Sequence, residues 1–78
     1  MYRFTGEQLD KLIYSFSALF DYDYVFTSYA VPEGRGLTIE YYNSPCRKSF
    51  TVELSYDKTT ELEDISDIII NSYKERLS

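Results

Sequence analysis

The hydrophobic period of this chain changes twice, and that change constrains the fold more than any other feature. From Thr5 to Phe20, the residues Leu9, Leu12, Ile13, Phe16, Leu19 and Phe20 fall on one helical stripe, with Thr5 and Gln8 at capping-box spacing ahead of it. Three segments follow, "DYDYVFTSYAV", "LTIEYYN" and "KSFTVELSY", each rich in β-branched and aromatic residues and separated by "PEGRG" and "SPCR". The helical period returns in "ELEDISDIIINSYKERL", where Leu62, Ile65, Ile69 and Tyr73 share a face flanked by Ile68 and Ile70; Thr60 and Glu63 repeat the capping spacing. The expected fold is therefore α+β, in the order α-β-β-β-α, with a three-stranded antiparallel sheet covered on one face by two helices. No linker, low-complexity tract or internal repeat interrupts residues 1–78, which read as a single compact domain.

Strand alternation sorts the side chains of such a sheet into two sets. Leu37, Ile39 and Tyr41, with Phe50, Val52, Leu54 and Tyr56, are expected inside, leaving Tyr42, Glu40 and Glu53 among the outer set. On the first strand, Tyr22, Tyr24, Phe26, Ser28 and Ala30 compete with Val25, Thr27, Tyr29 and Val31 for the inner side. We place the first group inside, where Ser28 and Ala30 would let a helix approach closely and Val25, Tyr29 and Val31 would form an outer apolar-aromatic patch. Pro32 and Gly34 suit positions i+1 and i+3 of a type I turn.

A chain of 78 residues has a limited core. Nine Tyr and five Phe supply bulk, and each tyrosine hydroxyl needs water or a partner. Thirteen acidic against eight basic residues, with no histidine, give a formal charge of −5, which repels nucleic acid and anionic membranes and favours basic protein partners. "MYRFTGEQ" carries no apolar core of a signal peptide, and no apolar run exceeds three residues, as in "III" at 68 to 70. With a single cysteine, Cys46, the expectation is a cytoplasmic protein in a reducing compartment, or one thiol available for intermolecular pairing.

The residues point away from catalysis and cofactors. Arg47 and Lys48 beside Cys46 would favour its thiolate, but no histidine can serve as its base. Only carboxylates are left for metal ligation, and neither EF-hand nor zinc spacing occurs. "PEGRG" lacks the length and the Lys-Ser/Thr ending of a phosphate loop. Glu40 and Glu53 on an open sheet face have no dry pocket to separate their pKa values.

The element order resembles that of double-stranded-RNA-binding domains, which grip phosphate with basic residues at the start of the second helix. Here that place is held by Glu61, Glu63 and Asp64, with Asp67 one turn on, so the likeness is one of topology only. The acidic "DKTTELEDISD" segment, the "DYD" corner and the tyrosine-rich strands also resemble the small acidic inhibitors encoded by phages, including anti-CRISPR proteins and DNA mimics. That resemblance implies binding to a basic nucleic-acid-handling protein, a nuclease or another DNA-binding effector.

Acids in a helix's first turn are stabilised by the macrodipole, which accounts for Glu61, Glu63 and Asp64 without any partner. Asp57 and Asp67 lack that explanation, and Asp21, at the end of the first helix, sits unfavourably with its dipole. Glu61, Asp64 and Asp67 form a row with a step of roughly 4.5 Å, near the roughly 3.4 Å phosphate spacing of one DNA strand. The expected partner-binding set is Asp21, Asp23, Asp57, Glu61, Glu63, Asp64 and Asp67 for charge, with Tyr14 from the polar side of helix one and Tyr29 and Tyr42 from the outer sheet face for contact area. The competing expectation is a structural or assembly module, monomer or homodimer, that docks through the outer sheet face.

Overall fold

The computed structural model describes residues 1–77. Its order is α1 (Gly6–Phe20), β1 (Asp23–Val31), β2 (Gly34–Asn43), β3 (Lys48–Tyr56) and α2 (Leu62–Leu77), with the strands paired antiparallel in the order β1-β2-β3. This is the α+β architecture expected, an open sheet with both helices on one face.

The start of α1 obeys a local rule. The Gln8 amide donates to Thr5 Oγ1 at 3.1 Å while the Thr5 amide donates to Gln8 Oε1 at 2.8 Å, so two otherwise orphaned donors satisfy each other reciprocally. The helix ends at Asp21, which is left-handed at φ 60°, ψ 45°. The Tyr22 amide then donates back to the Ser17 carbonyl at 3.0 Å, and the Ser17 hydroxyl donates to the Tyr22 carbonyl.

The α2 cap differs from the expected one. The Glu61 carbonyl accepts the first helical bonds, from the Asp64 and Ile65 amides, and the Asp64 carboxylate takes the Glu61 amide at 2.9 Å. The capping pair is thus Glu61 with Asp64, one residue on from Thr60 and Glu63. Thr60 is unavailable because its hydroxyl accepts the Asp57 amide at 3.1 Å, closing the turn before the helix.

The β1–β2 loop is shorter than "PEGRG" implied. Val31 pairs with Gly34, so only Pro32 and Glu33 turn the chain, both with negative φ, and strand pairing begins three residues earlier than expected. Proline at the first turn position suits this unprimed geometry. In the β2–β3 loop, Asn43 accepts the Cys46 amide at 3.0 Å through Oδ1 and donates through Nδ2 to the Asp21 carbonyl at 2.9 Å, tying the hairpin to the end of α1.

The register confirms the two faces. Leu37, Ile39, Tyr41 and Val52 are essentially inaccessible, as are Ile13, Ile65 and Ile69 from the helices above. Tyr41 is the largest of these side chains, and its hydroxyl is satisfied by the Ile13 carbonyl at 3.0 Å. Phe20 packs among Phe16, Tyr41, Phe50 and Tyr73, stacking on Tyr73 with centroids 4.0 Å apart. Tyr22, Tyr24 and Phe26 pack against this core, so the first strand lies as expected.

Two inner-face expectations fail. Leu19 is 74% exposed. It lies about 80–90° round the helix from the Leu9–Ile13–Phe16 line, beyond what the sheet covers. Ser28 and Ala30 face inward yet remain exposed. The 15-residue α1 spans roughly 22 Å, against roughly 30 Å for the nine-residue β1, so it cannot roof the end of the strand. A cleft of about 520 Å³ lies there instead, lined by Tyr2, Phe4, Phe26, Ser28, Arg35 and Tyr56 among others.

Candidate functional site

Among the described residues, nothing covers the sheet face opposite the helices. Its outward positions run in rungs across the strands: Asp23, Tyr42 and Ser49; Val25, Glu40 and Thr51; Thr27, Thr38 and Glu53; Tyr29, Gly36 and Ser55. Val25 is 49% and Tyr29 45% exposed. The Tyr29 ring lies over Gly36, where an added Cβ would come within 2.2 Å of ring carbon, so the glycine is the seat that lays the ring flat on the sheet. Asp23, Glu40 and Glu53 supply three carboxylates to this face, and no outward strand position carries Lys or Arg. Glu40 sits opposite Thr51, so Glu53 is its diagonal neighbour, roughly 7–8 Å away between backbones. That separation leaves both carboxylates open to an incoming cation.

At one end of the face, Asp21, Tyr22, Asp23, Tyr42, Asn43 and Pro45 enclose a notch of about 220 Å³. The structure therefore brings together Asp21, Asp23 and Tyr42, with Tyr29 further along the same face. It does not bring the other expected residues to them. Asp57 follows β3 at the opposite end of the sheet, roughly 25 Å from Asp23 along the strands. Tyr14, 61% exposed, projects from α1 on the helical side, where its ring meets Tyr24 edge-on at 6.5 Å.

Three of the acids around the start of α2 already have structural duties. Asp57 Oδ1 accepts the Thr59 amide at 2.8 Å and the Thr59 hydroxyl at 2.6 Å, and these bonds, joined by weaker ones from Thr60, hold its carboxyl below the ordinary range. Asp64 caps Glu61, and Glu61 pairs with Arg3 at 2.7 Å, pinning the N-terminal segment to the helix. Glu63 and Asp67 are exposed and make no side-chain hydrogen bond or ion pair among the described residues.

Two features of the surface lie outside the expected set of residues. Glu40 and Glu53 were legible from alternation as outward carboxylates, but were weighed only for catalysis. Arg35 was read as part of a turn, whereas it is a strand residue in the inner-face cleft. There its Nε and Nη2 both donate to Ser28 Oγ, at 3.3 and 2.9 Å. Cys46 is exposed in the β2–β3 loop. Among the described residues no group of three or more His, Cys, Asp or Glu is placed to hold a metal ion, and no helix is long and apolar enough to cross a membrane.

Fold and site together define a small α-β-β-β-α domain with an open, acidic, tyrosine-bearing sheet face. Comparison with protein-family models, curated proteins and solved structures gives no match, so the functional argument rests on this geometry.

Proposed function

We propose that this is a non-enzymatic binding protein that masks a basic nucleic-acid-handling protein, a nuclease or another DNA-binding effector, through its outer sheet face. The observation that carries the reading is the composition of that face: exposed Val25 and Tyr29 beside Asp23, Glu40 and Glu53, with no Lys or Arg at an outward strand position. Tyrosine supplies contact area at low entropic cost, and a one-signed rim steers an oppositely charged partner. The Asp21, Asp23 and Tyr42 notch extends the surface and gives Asp21 a use that its position at a helix C-terminus lacks. The likeness to acidic phage-encoded inhibitors supplies the partner class.

This reading relocates the contact from the α2 acids to the sheet, since the Asp57 and Asp64 carboxylates bond within their own turn and cap and the Glu61 carboxylate pairs with Arg3. Stacking two outer faces would bring carboxylates against carboxylates, so a face-to-face homodimer ranks second. The test is pull-down of candidate basic effectors by wild type, by Glu40→Lys/Glu53→Lys and by Glu63→Lys/Asp67→Lys. Loss with the first pair and retention with the second is expected, with binding weakening as salt rises. Loss with the α2 pair alone would overturn the assignment.

A further inference from the structure

The two edges of the sheet are treated differently. On β3, the Arg76 Nε donates to the Ser49 carbonyl at 2.9 Å, so a side chain occupies a backbone acceptor of that strand. On β1, pairing with β2 runs unbroken from Asp23 to Val31, with no bulge, and no side chain bonds to its backbone among the described residues. The sequence "DYVFTSYAV" contains neither Pro nor Lys nor Arg, the usual edge-blunting residues. Three of the exposed large hydrophobic residues, Tyr14, Val25 and Tyr29, border this one strand.

We infer that β1 pairs antiparallel with β1 of a second copy, across a two-fold axis through Thr27, to make a continuous six-stranded sheet. The register follows from the alternation. Inner residues must meet inner residues, and only a centre at Thr27 uses the whole nine-residue strand. Val25 then faces Tyr29 of the second copy, an aromatic–β-branched pair on the outer face, and Thr27 faces Thr27. On the inner face, Tyr24 and Phe26 of one copy fall opposite Ala30 and Ser28 of the other. Those are the two small residues that α1 leaves bare, so the exposed end of one strand receives the aromatic end of its mate.

The strength of the contact can be bounded. A strip about 30 Å long buries on the order of 800–1,000 Å² in total, below the roughly 1,200–2,000 Å² of stable complexes, so a weak, reversible dimer is expected. Asp23 approaches Val31 and the neighbouring Glu33 of the other copy, and each copy carries a charge of −5, so salt strengthens this association. That is the reverse of the effect expected for a basic partner, and the inference stands independently of the proposed function.

The experiment is sedimentation equilibrium on the full chain from about 1 to 300 μM, at low and high salt. The expected result is a monomer–dimer equilibrium that tightens with salt. Thr27→Lys places two ammonium groups face to face at the axis and weakens the dimer severalfold relative to Ser55→Lys, which makes the same change in net charge; its circular dichroism spectrum and melting curve verify the fold of the variant. Ser55→Lys, an equally exposed outer position on β3, leaves the dimer intact. A species that stays monomeric throughout, or a dimer indifferent to Thr27→Lys, overturns the inference.

Discussion

Replacing Tyr41 by Phe removes one oxygen from the middle of the core, and the structure sets the size and the pH dependence of the effect. The hydroxyl is fully buried and donates to the Ile13 carbonyl at 3.0 Å, joining β2 to α1. An intramolecular hydrogen bond is worth about 0.5–1.5 kcal/mol net, and helix geometry leaves the Ile13 carbonyl its bond from the Ser17 amide, so no orphan acceptor remains. Tyr41→Phe should therefore cost about 1 kcal/mol at pH 7, or a melting shift of roughly 4–8 °C for a domain of this size.

Burial, with a smaller contribution from Tyr24, raises the Tyr41 pKa far above the ordinary value of 10.0. The folded state thus favours the protonated phenol, so its contribution is complete below the unfolded pKa and declines above it. One pH unit above that value, ionisation of the unfolded chain takes about 1.4 kcal/mol from the wild type that Tyr41→Phe does not lose. The order of stability should invert between about pH 10 and 11. Urea unfolding of both proteins across that range tests it, the other tyrosines cancelling in the comparison. Two stability curves that stay parallel from pH 7 to 11 would mean that the Tyr41 hydroxyl is not held protonated by the fold.

Other outcomes follow from single positions. Asp21→Gly relieves a non-glycine left-handed residue and removes an acid from a helix C-terminus, and should stabilise the fold by up to about 1 kcal/mol in thermal melts while weakening partner binding. Gly34→Ala should destabilise by roughly 1–3 kcal/mol, because an added Cβ would lie 2.3 Å from the Tyr56 backbone oxygen; Gly36→Ala should cost less, since the obstructing Tyr29 ring can swing toward solvent. Asp57→Asn should flatten the acid limb of the stability profile: the native bonds from Thr59 depress the Asp57 pKa, so its contribution is present above about pH 4 and is lost as pH falls through the lower folded value.

What the sequence disclosed was whatever a short-range rule decides. The Thr5–Gln8 cap needs only four consecutive residues, and the inward set on β2 needs only alternation about Ile39. Tyr24 and Phe26 lie on the inner side as alternation allows, although the close helix approach expected at Ser28 and Ala30, on which that side was chosen, does not occur. What stayed hidden depended on competition or on length. Thr60 could cap α2 or close the turn at Asp57, and the choice is made by a hydrogen bond that no spacing records. The exposure of Ser28 and Ala30 depends on how far α1 reaches along β1. The acids of the α2 segment looked alike as a charge run; only the folded turn separates Asp57, Glu61 and Asp64, which have partners, from Glu63 and Asp67.

If the acidic, tyrosine-bearing sheet face is the binding surface, its own residues set the affinity for a partner. The most direct measurement is the salt-dependent affinity of a basic effector for wild type against Glu40→Lys/Glu53→Lys and Tyr29→Ala, each verified as folded. Charge reversal on the face is expected to abolish binding and Tyr29→Ala to weaken it by about tenfold or more, whereas Glu63→Lys/Asp67→Lys retains most of it. Undiminished binding by the two face variants, with loss in the α2 variant, would put the binding surface on α2 and not on the sheet.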